Sequence, residues 1–470
     1  MTPHSSPRRP WSVLALLVVA QFMVILDITI VNVALPSIGR ALDFTPSGLP
    51  WVVTTYVLCS GGLLLVGGRL ADLVGRRRTF LAGLSLFTLA SLACGLAPSA
   101  GTLIVARAFQ GAGAALMTPS ALAILTTTYV GAQRATALSI WGAVASAGVG
   151  IGVIAGGMLT TWLSWEWVFL VNVPVGVVTV ALTPRVIPAS AAAAAGGGLR
   201  DLDLPGAAAV VAGLVALVYA ISGAADHGWA SARTLGLGAV ALLLLGAFAA
   251  IERRVARPLL APAIWRVPTV TTGAVFMLCA TGLMTGTFFL NSVYLQGVLG
   301  WSALETGLAF LPLVGAIGLG VHATSRAVAR VGSRALIAGG LALVGAGALL
   351  LALAPDDARY AADVLPGLLV VGLGVGLAFP AVSIAAMSDV DHARAGSASG
   401  LLSTAHEVGA ALGVAVLSSV AASGAGAAGF GAGYGDAFLV AAIVAGVLAA
   451  LAVVAVPVVR PAPGAHVGVH

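Results

Sequence analysis

Charge is what this sequence has least of. Only 8% of its 470 residues are Asp, Glu, Lys or Arg, while 60% are hydrophobic. A soluble domain carries about a quarter charged residues, so a water-exposed globule of this length is excluded and the chain is placed in a bilayer. Lysine is missing altogether, which reads as GC-rich codon usage. The three cysteines, Cys59, Cys94 and Cys279, each lie inside an apolar run and read as packing residues, without disulfide or metal-ligand spacing. The formal net charge of +6 comes from arginines scattered singly or in twos and threes between apolar runs. That pattern does not make a nucleic-acid surface. There is no G-x-x-x-x-G-K-[ST] loop, so ATP is not the expected energy source. Metal-spaced histidines, a nucleophile elbow and a catalytic carboxylate pair are also missing, which disfavours a membrane-embedded lipid-modifying enzyme. Glycine clusters such as "GAGAAL" touch the dinucleotide fingerprint, but no strand precedes them. No cofactor and no metal are expected.

What the chain does have is long apolar runs. A helix needs about 20 apolar residues to cross a bilayer. Runs of that kind fall near 12–35, 50–68, 79–97, 102–125, 136–161 and 167–184, then near 205–223 and 234–251. The last six fall near 269–295, 303–324, 335–354, 364–386, 397–421 and 436–457. The expected fold class is therefore all-α and polytopic, with fourteen transmembrane helices. The opening "MTPHSSPRRPWSVLALLVVAQFMVILDITIVNVALPS" has a basic start, as a signal peptide does. Its apolar run is too long for one and has no persuasive cleavage site, so it reads as a retained first helix.

Arginine in short loops marks the cytoplasmic side. With the N-terminus inside, Arg8, Arg9, Arg69, Arg76, Arg77, Arg78, Arg134, Arg185, Arg200 and most later arginines collect on one side, and only Arg40, Arg233 and Arg359 fall on the other. Both termini are expected in the cytoplasm, with the chain in the inner membrane. The Ala/Gly-rich stretch at 184–206 reads as a linker, and 252–268 as a second break. The expected division is a six-helix bundle over 1–184, two additional helices with their linkers over 185–268, and a second six-helix bundle over 269–470. Such a plan suits a transporter built from two structural repeats.

Between the second and third runs stands "GGRLADLVGRRRTF", residues 67–80. A topological anchor needs its arginines but not its glycines or its carboxylate. "GRLADLVGRRRTFL" resembles the signature loop of the major facilitator superfamily, with Gly68, Leu70, Ala71, Asp72, Gly75, Arg76 and Arg77 matching. "LDITIVNVALPSI" (26–38), "RAFQGAGAAL" (107–116), "WEWVFLVNVPVG" (165–176) and "RAGSASGLLSTAHEVGAALGVAVL" (394–417) are similar to motifs of that family's fourteen-helix drug/proton antiporter branch. The resemblance implies that Gly68, Asp72, Gly75, Arg76 and Arg77 form a conformational latch. The second-half counterpart, "RAVARVGSR" (326–334), keeps Gly332 and Arg334 but has Ala329 where the first has Asp72, so a degenerate latch is expected there.

Asp27 is the sharpest candidate for chemistry. A carboxylate in mid-span is expensive to keep ionised and marks a proton or cation site by default. The competing reading makes it a bond to a neighbouring helix. Arg107 is costly for the same reason and must face an acid or carbonyls; Arg107, Gln110 and Gly111 match the R-x-x-Q-G motif, and the resemblance implicates its arginine in proton coupling. His406 and Glu407 interrupt the thirteenth run as a second proton site or a packing element. Gly148, Gly152, Gly156 and Gly157 form a helix-packing motif in the fifth run. Val153 stands where the antiporter pattern has proline, which puts a kink there in question. Ser302 and Glu305 have the spacing of a capping box, and His322 reads as interfacial. Glu166 departs from the branch without a physical account.

Together these readings imply proton-coupled export of small amphipathic drugs or antibiotics by alternating access. The expected partners are that substrate, protons and lipid. A proton symporter of a metabolite is the alternative on the same fold.

Overall fold

The computed structural model describes residues 10–188, 203–255, 258–260, 263–355, 358–391, 394–424 and 430–460. Arg8, Arg9, Arg200, Arg257 and most of the expected 184–206 linker lie outside the described residues. Among the described residues fourteen helices are long and apolar enough to span a membrane: α1 (Trp11–Ala41), α2 (Trp51–Val74), α3 (Arg76–Gly95), α4 (Ala100–Thr128), α5 (Gly131–Trp162), α6 (Trp167–Val186), α7 (Leu204–His227), α8 (Ala232–Glu252), α9 (Pro268–Gly297), α10 (Ala303–Val331), α11 (Ser333–Ala352), α12 (Tyr360–Met387), α13 (Ala395–Gly424) and α14 (Gly433–Ala455). Among the described residues there is no strand. The all-α, fourteen-helix expectation holds. Several helices run further than the apolar counting suggested: α1 continues to Ala41 and α2 to Val74. Counting stops at the first polar residues, whereas backbone hydrogen bonding carries a helix on into the interface.

The packing repeats along the chain. α1 packs on α5, α2 and α3 on α4, and α3 on α6; then α9 packs on α13, α10 and α11 on α12, and α11 on α14. Adding eight to each helix number converts the first set into the second. The same operation pairs α2–α13 with α5–α10, the two larger contacts that join the first six helices to the last six. Small residues make the matching contacts. A Cβ on Gly83 would lie 2.8 Å from the Gly113 carbonyl, and one on Gly340 would lie 2.6 Å from that of Gly374. Only glycine at these crossings lets α3 meet α4, and α11 meet α12, backbone to backbone. α7 packs against α2 and α13, and α8 chiefly against α7.

Hydrogen bonds across the central seam lie at the end that carries the α1–α2 loop. Ser292 Oγ donates to the Asn32 carbonyl at 2.7 Å, Gln296 Nε2 to the Val33 carbonyl at 2.8 Å, and the Leu304 amide to Thr161 Oγ1 at 3.2 Å. At the opposite end are the α2–α3 and α10–α11 turns.

Candidate functional site

Asp27, half-way along α1, is fully buried, and Arg107 on α4 is 1% exposed. Charges so placed have to be paired. Arg107 Nη1 donates to Asp27 Oδ2 at 2.5 Å, the one ion pair among the described residues. The same nitrogen donates to Gln110 Oε1 at 2.7 Å, and Nε donates to the Val52 carbonyl at 2.8 Å. Gln110 Nε2 donates to Asp27 Oδ1 at 2.7 Å and to Ser91 Oγ at 2.8 Å, and Asn172 Nδ2 reaches Asp27 Oδ1 at 3.1 Å. The Tyr56 ring lies under the guanidinium, 4.2 Å from its carbon. Five helices, α1, α2, α3, α4 and α6, thus share one buried network around the Asp27–Arg107 pair.

Local sequence explains the convergence. Arg107 and Gln110 are three apart on α4 and share a face. The next residue, Gly111, has no Cβ; one placed there would fall 2.2 Å from the Tyr56 carbonyl. Its absence lets α2 come close enough for the Val52 carbonyl and the Tyr56 ring to reach Arg107. On the other side, the glycine face of α5 receives α1. A Cβ on Gly152 would collide with Thr29 Oγ1, and one on Gly156 would lie 2.9 Å from the Ile30 carbonyl. Gly148 faces Ile25, while Gly157 faces Ala303 and Leu304 of α10. Val153 leaves α5 continuous from Gly131 to Trp162, and its carbonyl abuts Gly307.

His406 and Glu407 do not join this network, and they diverge from one another. His406 Nδ1 hydrogen-bonds with Thr281 Oγ1 at 3.0 Å, and its ring stands edge-on to Phe379 at 5.4 Å. Glu407 points across the seam to α2, where a Cβ on Gly61 would lie 2.5 Å from its own Cβ. Among the described residues none hydrogen-bonds its carboxylate. Tyr56 lies within electrostatic reach of both Glu407 and the Asp27–Arg107 pair, and its buried hydroxyl has no hydrogen-bond partner among the described residues. Sequence reasoning passed over Tyr56, Ser91 and Asn172. Asn172 carried a signal, a lone amide inside the motif at 165–176; Ser91 and Tyr56 carried none.

In the α2–α3 loop, Gly75 adopts φ 103° and ψ 133°, and its amide closes α2 on the Ala71 carbonyl. Arg76 begins α3, and Arg77 Nη1 donates to the Ile187 carbonyl, just past the end of α6, at 3.1 Å. Asp72 is exposed and in no ion pair among the described residues. The close backbone approach here is at Gly67, where a Cβ would lie 2.1 Å from the Ala115 carbonyl, whereas one on Gly68 meets only Pro119 at 3.8 Å. The α10–α11 turn matches this design. Gly332 has φ 82°, its amide bonds the Val328 carbonyl, and Arg334 Nε donates to the Val456 carbonyl past α14 at 2.6 Å. Elsewhere, Ser302 and Glu305 form the expected capping box at the start of α10. His322 pairs with Arg326.

Three comparisons bear on this arrangement. A family model described as Major Facilitator Superfamily matches residues 17–414. Puromycin resistance protein pur8 of Streptomyces alboniger is 42% identical over 424 residues, covering 88% of this chain and 82% of that protein. Cephamycin export protein CmcT of Amycolatopsis lactamdurans is 41% identical over 407 residues, 86% and 83% of the two chains. Among solved structures, the nucleoside transporter NupG superposes with a TM-score of 0.65 at 14% identity, over 94% of this chain and 98% of that one. The human organic anion transporter MFSD10 does so with a TM-score of 0.62 at 16% identity, over 94% and 99%.

Proposed function

The chain belongs to the Major Facilitator Superfamily, a multi-pass membrane transport protein, and from that premise we propose that it exports amphipathic drugs or antibiotics across the cytoplasmic membrane in exchange for protons. The resistance and export functions in the names of pur8 and CmcT support the substrate class and the direction. The observation that carries the coupling is the buried Asp27–Arg107 pair with its amide donors. A proton arriving on Asp27 Oδ2 takes the oxygen that Arg107 Nη1 now occupies. Arg107 then keeps Gln110 and the Val52 carbonyl but loses its counter-charge, so α1 and α4 are released from their strongest mutual contact. Glu407, at the α2–α13 seam and without a hydrogen bond among the described residues, is the acid that meets a proton or an organic cation there. The moving bodies are residues 1–184 and 269–470, and α7–α8, within 185–268, ride on α2 and α13. Both termini face the cytoplasm. Asp72, Arg76 and Arg77 hold the cytoplasmic end in one of the two states.

The test is proton release from acidified everted vesicles on adding ethidium and a panel of lipophilic antibiotics. Native protein discharges the gradient. Asp27→Asn binds ethidium but discharges nothing. Uptake of a compound into intact cells with the inward proton gradient, and no discharge in everted vesicles, would establish symport instead.

A further inference from the structure

Arg107 meets two aromatic rings as well as its hydrogen-bond partners. Its guanidinium carbon lies 4.2 Å from the centre of the Tyr56 ring and 5.7 Å from that of Phe169, both inside the ~6 Å over which a ring face attracts a cation. Each ring is fully buried, where that attraction is strongest. Close neighbours fix both residues: the Tyr56 carbonyl sits where a Cβ on Gly111 would fall, and Trp165 stands edge-on to Phe169 at 6.3 Å. The Tyr56 hydroxyl makes no hydrogen bond among the described residues, so what this side chain offers the site is its ring.

The rings count most in the state that a proton creates. The negative face of a ring attracts the guanidinium and repels a carboxylate beside it. While Asp27 is ionised the two effects oppose one another; once Asp27 is neutral only the attraction is left. We propose that Tyr56 is a positioning residue for proton exchange, whose ring, backed by Phe169, holds Arg107 against α2 and α6 while Asp27 carries the proton. This rests on the reading of Asp27 as the proton carrier and adds the group that keeps the uncompensated cation in place. Arg107 Nε stays on the Val52 carbonyl of α2 and Nη1 on Gln110 of α4, so the proton detaches α1 from Arg107 and leaves α2, α4 and α6 joined through it. The seam's hydrogen bonds to the Asn32 and Val33 carbonyls hold that same α1. Because the ring favours neutral Asp27, exchange without it needs more acid. Among the described residues, the charged or titratable groups facing the ring are Asp27 on α1, Arg107 on α4 and Glu407 on α13, with Cys94 of α3 beside Gln110; α6 presents the uncharged Phe169 and Asn172.

The test uses the full chain in proteoliposomes, with ethidium efflux driving proton uptake. Tyr56→Leu, which fills the space without a ring face, should slow proton uptake about tenfold at about pH 7, the order of one desolvated cation–π contact, and acidifying by about one pH unit should restore it. Tyr56→Phe should match native protein. Phenylalanines bearing one, two and three ring fluorines at position 56 withdraw charge from the ring face at nearly constant volume, so they should slow uptake stepwise; this series decides the matter even if Tyr56→Leu does not fold. In thermal unfolding of the detergent-solubilised chain, which involves neither drug nor transported proton, Tyr56→Leu should lower Tm by about 2 °C more in an Asp27→Asn background than in native protein. A flat fluorine series, slow uptake that acid does not restore, or equal losses of Tm in the two backgrounds, with Asp27→Asn unable to move protons, would overturn the proposal and leave the exchange reading standing. Proton uptake at the native rate by Asp27→Asn would sink both.

Discussion

Asp27 is tolerable in mid-membrane because three donated hydrogen bonds reach its carboxylate, one each from Arg107, Gln110 and Asn172, and Arg107 is in turn satisfied by Gln110 and the Val52 carbonyl. Removing one member of a buried pair strands the other, at about 3–5 kcal/mol. Arg107→Ala should therefore destabilise the protein by that order in thermal unfolding of the detergent-solubilised chain. Asp27→Asn added to Arg107→Ala should return much of the loss, since the amide carries no charge to strand. An additive double variant would mean that the pair is not energetically coupled. Much of this was legible in the sequence, for a charge inside an apolar run announces itself. That Asp27 and Arg107 satisfy one another was not, because 80 residues separate them. Ser91 and Tyr56 were hidden for a different reason: a serine or tyrosine in a helix is ordinary until the fold shows what it faces.

At the scale of the helix and turn, glycine positions bear most of the argument. Gly75 and Gly332 hold φ of 103° and 82°, backbone that costs a residue with a side chain about 1–3 kcal/mol. Gly75→Ala and Gly332→Ala should each lower thermal stability by that order, whereas Gly68→Ala, with its nearest neighbour at 3.8 Å, should cost much less. A large loss at Gly68 and none at Gly75 would contradict this account of the turn. Sequence pattern singled out both turns. The second turn lacks the acid, yet it retains the device by which an arginine two residues after the glycine binds a carbonyl past the end of another helix, α6 in one half and α14 in the other. Cations are favoured at such helix ends. Motif spacing could not reveal this, because the carbonyl belongs to the backbone. The capping box at Ser302–Glu305 was readable because both of its groups are local.

The whole molecule is a packing pattern used twice, helix n matched by helix n plus eight, with α7 and α8 set against α2, α13 and each other. Fourteen spans could be counted in the sequence because bilayer thickness fixes their length; their pairing could not, since any apolar face can meet another in lipid. A doubled plan suits alternating access, in which two similar bodies tilt about a seam, and hydrogen bonds already join that seam at one end. The central claim is that substrate and proton exchange through Asp27. Its most direct measurement uses proteoliposomes loaded with ethidium and a pH-sensitive dye, clamped at zero membrane potential with no initial pH difference. Ethidium leaving down its own gradient should draw protons inward through native protein, acidifying the lumen, while Asp27→Asn exchanges labelled for unlabelled ethidium and moves no protons. Acidification that persists at the native rate in Asp27→Asn would contradict the account.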